Sequence, residues 1–136
     1  MNESNKNEFR ILNIINEKYS YNLKGSTIDD FIQGNFSITI TRKEFDLLFT
    51  EAVNKTKEFI NNFPKLDIYK IILLYLERMR QDLDNGNYYT FNEHIKKNRL
   101  GAIISKNFEN ETNNKYIDAL LTINVLSRFY NKMEKG

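Results

Sequence analysis

The densest set of potential ligands in the chain is Asp82, Asp84, Asn85, Gly86, Asn87, Thr90 and Glu93. Lying between two helical patterns, Asp82, Asp84 and Glu93 match positions 1, 3 and 12 of a calcium-binding loop, where a hard cation takes carboxylate oxygens. The pattern breaks at the fifth position, an oxygen donor in such loops and here Gly86, and at the sixth, a glycine there and here Asn87. Turn chemistry accounts for the same letters: Asn85-Gly86 stops one helix, and Thr90 with Glu93 forms a capping box that opens the next. No metal is expected. His94 is the sole histidine, and its place beside Phe91 and Ile95 reads as packing rather than as a catalytic base. Adjacent Asp29 and Asp30 point about 100° apart on a helix and suit the positive end of a short one better than acid–base work. The chain has no cysteine, and the glycines are isolated rather than gathered into a phosphate cradle. The residues imply neither an enzyme nor a cofactor.

Cations offer more. The formal net charge is only +2 with a pI near 8.7, but Lys96, Lys97, Arg99 and Lys106 form a stretch in which several cations stand without an acidic neighbour. With Arg78 and Arg80 they make a candidate surface for a polyanion. A helix-turn-helix reading of residues 26–53 would expose Arg42 and Lys43, yet the same helix carries Glu44, Asp46, Glu51 and Glu58, which repel phosphates.

These residues must be held by helices. Apolar side chains recur at helical spacing at Phe9, Leu12, Ile15 and Tyr19. Gly25 breaks that pattern, and Ser26 can cap a short helix closed by Gly34. Ser37 to Thr41 alternates as a strand would, but one strand makes no sheet, so it is read as the approach to the next helix. Thr41 and Glu44 form a capping box. From there Phe45, Leu48, Phe49, Ala52, Val53, Phe59, Ile60 and Phe63 share one face, with Glu51 and Lys55 paired on its flank and Pro64 ending the run. Residues 66–83 carry a wide apolar arc and are expected to form the central helix of the core. A straight helix over 91–108 would place Ile103 among Lys96, Arg99 and Lys106, so a break at Gly101 is expected. The whole reads as an all-α fold, a compact bundle of five to six helices in a single domain over 1–136, with 1–6 and 134–136 as flexible ends. No secretory pattern opens the chain and the longest apolar run, Ile71 to Leu76, is far short of a membrane span. A cytoplasmic protein is expected.

The last helix, read as Lys115 to Met133, carries apolar residues on nearly every side. A domain of this size has limited material to cover such a rod. Tyr116, Ile117, Leu121, Val125, Phe129 and Met133 are therefore expected to dock onto a protein partner or onto further copies of the chain.

The run Lys115-Tyr116-Ile117-Asp118-Ala119-Leu120-Leu121 resembles the final helix of the small helical subunit of type III-A CRISPR (Csm) effector complexes. Ile40-Thr41-Arg42-Lys43 is similar to that family's threonine-rich entry into its first long helix, and Glu93-His94-Ile95-Lys96-Lys97, followed by Ile103-Ile104, to its later basic helix. The chain departs from the family at Glu77-Arg78-Met79-Arg80 and in its extension through Arg128-Phe129-Tyr130-Asn131-Lys132. The resemblance implies a non-catalytic subunit of an antiviral ribonucleoprotein that stacks in copies, touching backbone subunits through apolar faces and guide or target RNA through basic ones. It places Lys43, Lys96 and Lys97 at the RNA; Arg78, Arg80 and Arg99 join them from the charge map alone. The rival expectation is a phage or mobile-element protein that inhibits or regulates a protein partner.

Overall fold

The computed structural model describes residues 8–23 (backbone alone for 19–23), 39–87, 93, 96–97, 99–108 and 114–136. Among these, five α-helices and one 3₁₀ segment make an all-α bundle: α1 (Arg10–Leu23), α2 (Arg42–Asn62), α3 (Asp67–Asp84), α4 (Leu100–Asn107) and α5 (Lys115–Leu126), continued by a 3₁₀ turn over Ser127–Lys132. The expected short helix over 26–33, the Thr90 cap and His94 lie outside the described residues, as does the expected tail 1–6.

The start of α2 is as the sequence predicts. Thr41 Oγ1 accepts from Glu44 N at 3.1 Å while Glu44 Oε1 accepts from Thr41 N at 2.9 Å. Burial disfavours the charged carboxylate of Glu44, but the Lys18 ammonium at 2.9 Å and the Thr41 amide outweigh it and hold its pKa below the ordinary value. The remaining first-turn amides are taken by the end of the chain: Arg42 N donates to Glu134 O at 2.7 Å and Lys43 N to Lys135 O at 3.3 Å. Residues 134–135, expected to be loose, instead complete this helix terminus. Lys55 and Glu51, expected to pair with each other, both reach the turn just ahead of α1. Lys55 Nζ lies 2.9 Å from Glu8 Oε1, and Glu51 Oε2 accepts from Phe9 N at 2.6 Å. That bond holds Phe9, buried and at φ +57, in a conformation bulky residues seldom adopt.

Phe45, Leu48, Phe49 and Ala52 face the core from α2, and Thr56 continues their stripe. Asn85 and Gly86 close α3 as expected, with Gly86 at φ +73. The break expected at Gly101 falls two residues earlier: Arg99 caps α4, and Gly101 sits within it. There a Cβ would come within 2.9 Å of Asn124 Nδ2, so the missing side chain is what lets α4 and α5 cross closely.

The largest correction concerns which helix is central. α5 lies between α2 and α4, burying Tyr116, Ile117, Ala119, Leu120, Ile123 and Leu126. After Leu126 the chain tightens to 3₁₀ geometry, closer to 120° per residue, which turns Phe129, Tyr130 and Met133 inward. Of the six side chains expected to dock elsewhere, Tyr116, Ile117, Phe129 and Met133 are thus enclosed by the chain itself; Leu121 and Val125 remain at the surface. Conversely α3, expected at the centre, buries only Ile72, Leu76, Met79 and Leu83, and leaves Ile71 and Leu74 41% and 56% exposed.

Candidate nucleic-acid interface

Two of the open grooves on the described surface bear on the expected site residues. One, of about 470 Å³, runs between α3 and α4 and is lined by Ile68, Ile71 and Tyr75 on one side and Arg99, Ala102, Ile103, Lys106 and Asn107 on the other. Arg99 and Lys106 are seven residues apart, two helical turns, so both cations project along the same wall. The Arg78 guanidinium stands 5.6 Å from the centroid of the Tyr75 ring that lines the groove. Lys96 and Lys97 are exposed on the helical residues that precede Arg99. Of the six cations expected at RNA, Arg99 lines this groove, Arg78 meets the Tyr75 ring, and Lys96 and Lys97 are exposed just ahead of Arg99 in the chain. Two residues left out of that set, Lys106 and Tyr75, complete the groove. Lys106 was legible from its spacing to Arg99; Tyr75 was read as part of a core-facing arc.

Arg80 does not belong to this surface. It is two residues from Arg78, about 200° around the helix, and faces α2 and the 3₁₀ turn. Its Nη1 lies 2.8 Å from Asp46 Oδ1, its Nη2 2.9 Å from Asp84 Oδ1 and 3.3 Å from the Tyr130 hydroxyl, which itself donates to Asp46 at 3.1 Å. Burial would lower the guanidinium's pKa, but these bonds more than offset it and raise the value above the ordinary one. The Arg80 guanidinium also lies 5.4 Å from the rings of both Phe49 and Tyr130. It ties three elements together rather than presenting a charge to solvent.

Lys43 is exposed but lines the second groove, about 490 Å³, with Arg42, Asp46, Leu47, Thr50, Tyr130 and Lys135. Arg42 is committed there, its Nε donating to Tyr130 O at 3.1 Å and its guanidinium lying 4.9 Å from that ring. Lys43 thus sits on a different groove from Arg99 and Lys106.

Among the described calcium-like residues, the Asp82 main chain with Asn85, Gly86 and Asn87 forms the turn that closes α3. Asp84 receives Arg80, and the main-chain oxygen of Asp82 accepts from Asn87 N at 2.8 Å. Among the described residues no three metal-ligating side chains gather, and no helix is long and apolar enough to cross a membrane. What the α3–α4 groove can do chemically is bind: an apolar floor with one aromatic face, walled by fixed positive charge. Set against known protein families, curated proteins and solved structures, the chain matches none of them.

Proposed function

We propose that this chain is a non-catalytic, RNA-contacting subunit of a ribonucleoprotein, of the type III CRISPR-like kind that its Lys115–Leu121 and Glu93–Lys97 segments resemble. The observation that carries the reading is the α3–α4 groove, where Arg99 and Lys106 stand on one wall opposite Tyr75, whose ring Arg78 also meets. Lysine and arginine hold phosphates without regard to sequence, as a subunit lying along a guide–target strand requires. Lys96 and Lys97, both exposed, precede Arg99 in the chain and add to the local positive charge.

Fluorescence anisotropy with a labelled RNA strand and with a guide–target duplex tests this. Binding is expected to weaken steeply with salt. Lys96→Glu with Lys97→Glu should abolish it. Arg99→Glu with Lys106→Glu should lower the slope of log K against log salt by about 1.4 on a single strand, two contacts at about 0.7 each. Lys43→Glu is expected to act separately, since it belongs to another groove.

A second reading, a protein that inhibits or regulates a protein partner, is favoured by the exposed Phe63, Leu66, Ile71 and Leu74 along the α2–α3 turn and α3. Under it RNA binding is absent and a single protein co-purifies, so the same preparation separates the two.

A further inference from the structure

The outer side of α3 carries a stripe that matches itself. Asp67, Ile71, Leu74 and Arg78 are spaced four, three and four residues apart, the spacing of one seam of a heptad repeat. All four are exposed, and Leu74, at 56%, is the most exposed large apolar side chain among the described residues. The helix's inward stripe, Ile72, Leu76, Met79 and Leu83, lies about 140° away around the axis. α3 therefore carries a second seam, with Ile71 and Leu74 at its centre, that the described residues leave exposed.

We propose that the uncovered seam binds a second copy of this chain, as an antiparallel pair of α3 helices related by a two-fold axis. The argument is charge and shape complementarity under that operation. An axis crossing the seam midway between Ile71 and Leu74 seats each Ile71 against the partner's Leu74 and each Asp67 beside the partner's Arg78. Flanking the seam, Lys70 falls beside the partner's Glu77. Isologous contacts need this property, that residue i meets j while j meets i, and the four residues of the seam have it throughout. A parallel pair would instead set Asp67 against Asp67 and Arg78 against Arg78, a like-charge clash at both ends. On the remaining edge Ile68 meets the partner's Tyr75, both apolar. Two helices of this length make a small interface, so the pair is weak, with a Kd of about 1–100 μM. The seam shares Ile71 and Arg78, and at its edge Ile68 and Tyr75, with the α3–α4 side proposed for RNA, so pairing and RNA compete for α3 while Arg99 and Lys106 lie on the other wall.

Sedimentation velocity on the full chain across that concentration range tests it, with RNA anisotropy measured alongside. The mass should move from 16.2 kDa toward twice that value as concentration rises. Leu74→Glu, at an exposed site that leaves the core intact, should raise the dimer Kd by roughly a hundredfold or more, since it brings two carboxylates into the apolar centre. Asp67→Arg should raise it by roughly five- to tenfold by facing an arginine with another. Arg78→Asp added to Asp67→Arg reverses both charges together and should bring the Kd back to within about threefold of the original. Circular dichroism checks that each variant keeps its helices. A chain that stays single at every concentration overturns the proposal and leaves the seam to another protein. A dimer indifferent to Leu74→Glu, or a double reversal that fails to rescue Asp67→Arg, overturns it equally. RNA binding that is absent even where the chain is a monomer would count against the function proposed above and not against this pairing.

Discussion

Thr56 sits in the middle of the apolar stripe of α2 with its hydroxyl fully enclosed, and its bonding follows from counting protons. Its Oγ1 donates its one hydrogen to Ala52 O at 2.7 Å, one turn back along the helix. The Tyr116 hydroxyl, also 2.7 Å away, must then be the donor to Thr56, which has only lone pairs left to offer. Burial pushes the Tyr116 phenol well above its ordinary pKa, and the bond to Thr56 opposes that only in part. The direction of the bond fixes the ranking of two substitutions. Thr56→Val keeps the shape but strands a buried Tyr116 hydroxyl, at a cost of about 1–3 kcal/mol. Tyr116→Phe removes the donor and leaves Thr56 still bonded to Ala52, at about 0.5–1.5 kcal/mol. Urea unfolding of both, and of the double variant, measures this. The double variant should cost less than the two separately, because the second change removes the group the first had stranded. The helical period alone places Thr56 on the inward face, but its partner lies 60 residues away and no local pattern names it.

Elements were legible one at a time and less so in their ranking. The two expected capping signals that fall on described residues, Thr41 with Glu44 and Asn85-Gly86, act locally, through a side chain reaching its own backbone or a glycine reaching positive φ, and both appear where the letters put them. Which helix is surrounded is a different kind of fact. Apolar width was read as a demand for outside partners on α5 and as a sign of centrality on α3, and the bundle assigns the roles the other way. Charge density would have separated them, since α5 has two ionisable side chains of lysine or aspartate type, Lys115 and Asp118, in 12 residues, while α3 carries Asp67, Lys70, Glu77, Arg78, Arg80, Asp82 and Asp84 in 18. A helix that must meet water needs charge on that side; one that is enclosed cannot carry it. The candidate groove follows the same logic. Arg99 and Lys106 were readable as one row, but that α3 lies beside them, supplying Tyr75 and Arg78, depends on packing between segments more than 20 residues apart. The exchange of roles is measurable: Leu120→Ala should cost about 2–5 kcal/mol in chemical unfolding, as a fully buried side chain does, and Leu74→Ala no more than about 0.5 kcal/mol at low protein concentration. Similar costs at the two positions would return α3 to the centre.

At the scale of the whole molecule, the described chain closes on itself at the N-terminus of α2. Three separate parts converge there: the Thr41 cap, the Tyr130–Arg80–Asp46 network from the 3₁₀ turn and α3, and the Glu134 and Lys135 carbonyls that take the Arg42 and Lys43 amides. The carbonyl dipoles also meet the positive end of a 21-residue helix, where partial negative charge is favoured. Met133, 4% exposed, anchors the same strap by packing. Two contributions can be separated by experiment. Met133→Ala removes the packing and keeps the carbonyls, at about 2–4 kcal/mol. A stop codon after Lys132 removes both, so it should cost about 0.5–1.5 kcal/mol more for each hydrogen bond that had counted in the folded chain. If the two variants unfold at the same urea concentration, water serves the α2 amides as well as the strap does, and only the Met133 side chain holds residues 133–135 in place. If the shortened chain is the weaker by that margin, the backbone of residues 134 and 135 is a structural part of the bundle. The groove lined by Lys43 and Lys135 then has a fixed wall, held by main-chain bonds rather than by side chains that solvent could replace.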